Sequence, residues 1–333
     1  MKQVLALIAL LYASVVYAAP DLSGPVASVY DKVIVQNAND SVDACNNFKL
    51  ELEKTSAGSG NEMLDAAFRQ LVLGWKKVEV TYIAGDLDAD YLDTPRYIDV
   101  FHNSNEDLSA IMQRQLASGS PANKALFKNS FKTVNALEAL LYADAVLSAR
   151  DLAFAAVMAD SICGHLQEIA TVYAQNRKAL LAEPEKALAL YIHALSNSVF
   201  AVKEWRIGDP AGLSRKYKDR PNAGRSEYAL SGYSLDAIKA IFQVHQAMMG
   251  EQAYANLSDV IKAYQASELA GQITQTLEQG STRLASLNSK DFAFEPGQSR
   301  LLYDNATQLY NHYYVSLLSA LPIVGKILEA DGD

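Results

Sequence analysis

The sequence predicts an all-α protein built as two helical-bundle halves. Three observations carry that expectation. Apolar residues recur at alternating steps of three and four, alternating strand patterns are nearly absent, and one proline-marked break divides the helical run. With 333 residues, half of them apolar, the chain is long enough for one large or two ordinary domains. Modest Gly and Pro and well-mixed charge argue against wholesale disorder. Lys and Arg total 29 against 38 Asp and Glu, a formal net charge of −9. A general nucleic-acid binder would need the opposite excess to displace counterions from phosphates, so no nucleic-acid partner is expected.

In chain order, residues 1–18 read as a secretory signal peptide. Lys2 precedes an apolar run from Val4 to Val16, and Val16 and Ala18 are the small residues expected before a cut after Ala18. A cut after Ala19 would leave Pro20 at the new terminus and is the less favourable alternative. The run is short for a membrane span, and no other stretch is long and apolar enough to be one. The expected location is the periplasm, with no transmembrane helix after signal removal. Cys45 and Cys163 then lie where a disulfide is permitted, though spacing leaves open a bridge or two separate buried thiols.

The expected N-terminal bundle covers 19–183. Its first seam is Leu64, Phe68, Leu71, Trp75, Val78 and Tyr82; its second is Phe127, Phe131, Val134, Leu137 and Leu141. The third is Leu152, Ala155, Ala159, Ile162, Leu166, Ile169 and Tyr173. Ala182-Glu183-Pro184 interrupts the helices, and Pro184 suits a first helical turn. The expected C-terminal bundle covers 184–333. It opens with the seam Leu188, Ile192, Leu195, Val199 and Val202 and continues with helical patterns at 235–249, 252–267, 269–287 and 299–328. Tyr303, Tyr310, Tyr313 and Tyr314 fit the packing of the last of these. Two stretches are irregular: 84–103, and a long loop at 206–234 that gathers Arg206, Arg215, Lys216, Lys218, Arg220 and Arg225. A loop of that length is either a solvated excursion or a contact for an anionic ligand or partner.

Polar residues on apolar stripes are the informative ones. Glu138 continues the second stripe, four residues after Val134 and three before Leu141, where an acid is costly unless paired or metal-bound. Glu79 flanks the first seam, and Asp86 lies one heptad further on. Inward carboxylates from different helices are how bundles build metal sites, and an inward acid paired with Lys or Arg is the competing reading. His165 and Glu168, three apart on one helix face, form either a surface pair or two metal ligands. His245 falls within the stripe Leu235, Ile238, Phe242 and Met249, as a hydrogen-bonded core histidine would. His102, His193 and His312 offer no acidic pairing at helical spacing that the pattern favours. Nucleophile-elbow, zinc-protease and phosphate-loop signatures are absent.

Trp75-Lys-Lys-Val-Glu79 followed by Gly85-Asp86-Leu87-Asp88, then Thr133-Val-Asn135-Ala-Leu-Glu138, resembles the imelysin-like proteins. So do Lys203 to Leu213, Ser226-Glu227 and Ser231-Gly-Tyr-Ser234. That family includes the so-called insulin-cleaving membrane protease, iron-regulated proteins and the periplasmic component of a ferrous-iron transport system. Its hallmark is Gly-x-His-x-x-Glu on a helix. The resemblance implies two helical bundles with a site in or near a groove between them. It also implies a role in bacterial iron uptake, with a metal ion or small ligand and iron-uptake envelope proteins as partners. Carried over by position, Glu79, Asp86 and Glu138 match the metal-site region. Thr133 stands where the family has Gly, and Asn135 where it has His. Asn offers an oxygen in place of the imidazole nitrogen, which lowers the expected affinity for iron or another divalent metal. Asp88, Arg96, His165 and Glu168 complete the candidate set as ligand-binding residues. The leading expectation is an exported binding protein. The alternatives are a metallopeptidase, the family's nominal activity, and an envelope docking module that uses the basic loop.

Overall fold

The computed structural model describes residues 20–59, 62–289 and 292–321. The expected signal peptide at 1–18 lies outside them, as does the expected last helix beyond 321. No strand occurs among the described residues, and no helix there is long and apolar enough to cross a membrane.

Helix α1 runs over 23–54, with a π-helical stretch at Tyr30–Val35. Helix α2 (Glu62–Val80) buries the first seam, and Leu64, Phe68, Leu71, Trp75 and Val78 are each almost wholly enclosed. The short helix α3 (Leu108–Ala117) packs on α4 (Val134–Leu141). Helix α5 (Ala149–Leu181) begins at a capping box, in which Ser148 and Asp151 satisfy each other's backbone N–H groups. It ends at Ala182, and Pro184 opens α6 (Pro184–Ala201) in its first turn, where the missing N–H is not needed. Helices α7 (Ser234–Met249), α8 (Leu257–Ala263), α9 (Ser267–Ser286) and α10 (Pro296–Asn311) complete the main elements.

Helix α1 packs on α2 and α5, and α2 also packs on α7, so the apolar core is continuous from α1 through α10. Cys45 on α1 and Cys163 on α5 form a disulfide, with Cα atoms 5.5 Å apart. His245 is fully enclosed, 3.2 Å from the Ser198 hydroxyl and 3.4 Å from the Tyr313 hydroxyl. Burial pushes its imidazole down to about 3, so it is a neutral core histidine, as the stripe implied.

Three expectations need correction. The stripe from Phe127 to Leu141 is not one helix. Thr133 has extended backbone angles and accepts from the Ala136 N–H, so α4 starts only after it. Phe127 is 73% exposed on the preceding turn. Helical pattern 252–267 is also shorter, because Asn256 caps α8 and excludes what precedes it. The loop expected at 206–234 opens as helix. A π-helical stretch, Val202–Gly208, continues α6 and runs into Asp209–Ala211. Gly212, at φ +67°, then turns the chain against Arg220 and Pro221, where a Cβ would collide with backbone.

Candidate ligand cavity

The irregular stretch after α2 brings Asp99 back over the end of that helix. Asp99 is buried, and one of its oxygens accepts from Trp75 Nε1 at 2.9 Å, Lys76 Nζ at 2.6 Å and the Tyr228 hydroxyl at 3.2 Å. Lys76 is wholly enclosed and also reaches Glu227 at 2.5 Å and Glu79 at 2.9 Å. Arg206, from the π-helical stretch, donates to Glu227 at 2.6 Å and to Glu79 at 2.8 Å. Burial opposes the charge on Lys76. Asp99, Glu227 and Glu79 outweigh it and hold the ammonium above its ordinary range. Asp99 stays well below the usual carboxylate range because Lys76 outweighs its burial.

This ion network adjoins a cavity of about 520 Å³, lined in part by His102, Asn135, Glu138, Lys216 and Arg225. Glu138 is 6% exposed, and one of its oxygens accepts from the Ser231 N–H at 2.9 Å and the Ser231 hydroxyl at 2.7 Å. Burial pushes its carboxyl up to about 7, against those two hydrogen bonds. Asn135 Oδ1 accepts from the Val100 N–H at 2.7 Å, tying α4 to the segment that carries Asp99. His102 and Tyr228, both on the cavity wall, have left-handed backbone angles at φ +59° and +56°. Such strain in non-glycine residues costs energy and persists where the surroundings demand it, often at functional sites.

Of the residues singled out from the sequence, Glu138 and Asn135 line one cavity, and Glu79 belongs to the ion network beside it. The other candidates lie elsewhere. Asp86 is exposed on a turn of helix at Ala84–Leu87, and the Asp88 carboxylate caps the Asp90 N–H. Arg96 is exposed and pairs with Asp93 at 3.2 Å. His165 and Glu168 form a surface pair at 2.9 Å, with the imidazole against Tyr97. The expected Glu79, Asp86 and Glu138 cluster is therefore not assembled. Among the described residues no three His, Cys, Asp or Glu side chains are grouped to hold a metal. The donors that the family resemblance would assign to a metal are engaged: Asn135 with Val100, Glu138 with Ser231, and Glu79 with Lys76 and Arg206. The residues present do not fit a resident metal ion.

Sequence reasoning missed Lys76, Asp99 and Tyr228, and it assigned Arg206 to a surface loop although that side chain is buried. It also missed His102, whose Nε2 lies 3.1 Å from the Asp209 carboxylate. The one available signal was Lys76 itself, four residues after Val72 and four before Val80, where the same helix face is otherwise apolar.

The imelysin family model, Peptidase_M75, matches residues 34–311. The chain belongs to the imelysin family. A solved imelysin-like protein from Psychrobacter arcticus 273-4 superposes with TM-score 0.76 at 19% identity, covering 92% of this chain and 97% of its own. A protein named as an iron-regulated protein A precursor, from Parabacteroides distasonis ATCC 8503, superposes with TM-score 0.72 at 16% identity, covering 93% and 97%. These likenesses establish the fold. No curated protein matches the sequence.

Proposed function

We propose that this imelysin-family chain is an exported binding protein of iron uptake. Its ligand is a small polyoxygen anion, an iron chelate rather than a bare ion, taken into the cavity beside Glu138. The carrying observation is a pair of cations on the wall of that cavity with no carboxylate partner among the described residues. Each of its five acids already has a partner within the fold. Glu106 pairs with Lys128, and Asp107 caps the Ala110 N–H. Glu138 holds Ser231, and Asp209 meets His102 and Ser214. Glu227 meets Lys76 and Arg206. Two cavity cations have no such partner among the described residues. Lys216 is in no ion pair, and Arg225 donates only to the backbone carbonyls of Arg220 and Asp209 while lying over Tyr217. An oxyanion supplies the partner that those two cations lack.

The iron context comes from the family resemblance and from the name of the Parabacteroides protein. Export is supported by the signal-peptide pattern and by the disulfide, which persists in oxidising compartments. The metallopeptidase alternative requires a firmly held metal and its water, and the donors it would use are engaged as described.

Calorimetry with citrate, ferric citrate and ferrous ion alone tests the proposal. Citrate or its ferric complex is expected to bind, and Arg225→Ala to weaken that binding about fivefold. Ferrous ion alone is expected to give no heat that depends on Glu138. Ferrous binding abolished by Glu138→Ala would restore the metal centre, and no binding of either citrate species would end the chelate reading.

A further inference from the structure

A second cavity, of about 760 Å³, adjoins the first across His102, Asp209 and Lys216. Its size falls within the range of about 300–1,000 Å³ usual for small-molecule sites. Its wall is aromatic. The His102 and Trp205 rings are parallel, with centroids 4.7 Å apart and planes 7° from each other, and Phe200 meets Trp205 edge-on at 6.0 Å. Trp205 is half-buried and Phe200 is exposed. The π-helical stretch Val202–Gly208 supplies Trp205, and such stretches are frequent at functional sites.

The acids of this cavity are again engaged. Glu204 pairs with Lys203 at 2.7 Å and accepts from the Tyr303 hydroxyl at 3.3 Å. Asp209 is buried between Ser214 and His102. Burial lowers the His102 pKa more than Asp209 raises it, which favours a neutral ring in the stack. Arg215 and Lys216 are exposed at the cavity edge and, among the described residues, pair with no carboxylate. An aromatic lining beside two cations that pair with no carboxylate selects both a ring and a negative charge.

We propose that this second cavity binds an anionic aromatic small molecule. Its ring packs against the wall formed by Phe200, Trp205 and His102, and its acidic substituent is held by Arg215 and Lys216. The site shares His102, Asp209 and Lys216 with the cavity beside Glu138, whereas Phe200, Trp205 and Arg215 line this cavity and not that one.

Calorimetry on the full chain with three probes tests this inference. 2-Naphthoate carries ring and charge, cyclohexanecarboxylate carries charge alone, and 2-naphthol carries the ring alone at neutral pH. Naphthoate is expected to bind at least about tenfold tighter than either control. Arg215→Ala, an exposed change with little consequence for folding, is expected to weaken naphthoate about fivefold. Trp205→Leu is expected to weaken it about tenfold, and Trp205→Phe, which keeps a ring, by less than about threefold. Should Trp205→Leu fail to fold, Arg215→Ala and the probe comparison decide. No naphthoate binding at millimolar concentration, equal binding of all three probes, or binding indifferent to Arg215→Ala would each overturn the proposal.

Discussion

Glu138 has a carboxyl that burial pushes up from 4.5 to about 7, although Ser231 donates to it twice. Between those two pH values the folded chain keeps a proton that the unfolded chain has released. Stability therefore falls as pH rises through that window, by about 3 kcal/mol in all, and no further once both states are ionised. Glu138→Gln mimics the protonated acid. Urea unfolding at pH 5 and pH 8 should show the wild type losing stability between them, and the variant losing about 3 kcal/mol less. Lys76 presents the opposite case, a buried charge made favourable by its partners. Lys76→Met leaves the buried Asp99 without its ion-pair partner and Glu227 with Arg206 alone, and should cost about 3–5 kcal/mol in the same experiment. These two residues also show what sequence discloses at this scale. Glu138 was legible because it interrupts a stripe. Its partner Ser231 is 93 residues away, and Asp99 and Glu227 stand 23 and 151 residues from Lys76. Spacing along one helix carries no information about such pairs.

Helix α4 owes its start to Thr133. Its hydroxyl accepts from the Ala136 N–H, so Thr133→Ala should lower stability by about 1 kcal/mol and Thr133→Ser should retain most of it. Two residues on, Asn135 fixes the Val100 N–H. Hydrogen exchange at that amide should accelerate in Asn135→Ala, and unchanged exchange would show that α4 does not anchor the segment carrying His102. Most long helices were legible from their seams, because burial of one face enforces the three-and-four spacing. The errors fell where that spacing continued by chance through a cap, as at Phe127, or where a π-helical stretch changed the period, as at Val202–Gly208. That second error hid both Arg206 and the helical placement of Trp205.

Across the whole molecule, the Cys45–Cys163 disulfide joins α1 to α5 over 118 residues. Closing so long a loop restricts the unfolded chain, so replacing both cysteines with Ala should cost about 4 kcal/mol and lower the melting temperature measurably. A melting curve unmoved by the double substitution would show that the bridge does not stabilise the fold. The all-α architecture was legible in the sequence, and the imelysin assignment, matched over 34–311, agrees with motifs visible at Trp75–Glu79 and Thr133–Glu138. The cavity itself was only half legible. Sequence supplied Asn135, Glu138 and the basic residues Lys216 and Arg225, while His102, Asp209 and Tyr228 reach it only through long-range packing. Glu138 is an enclosed acid, held protonated to about pH 7 by burial, on the wall of the cavity proposed to take an anion. Carbon-detected NMR of its side-chain carboxyl between pH 4 and 9, with and without citrate, tests that claim most directly. A midpoint near 7 that citrate raises further is expected, since a bound anion disfavours the carboxylate. A midpoint near 4.5 that citrate leaves unmoved would contradict it.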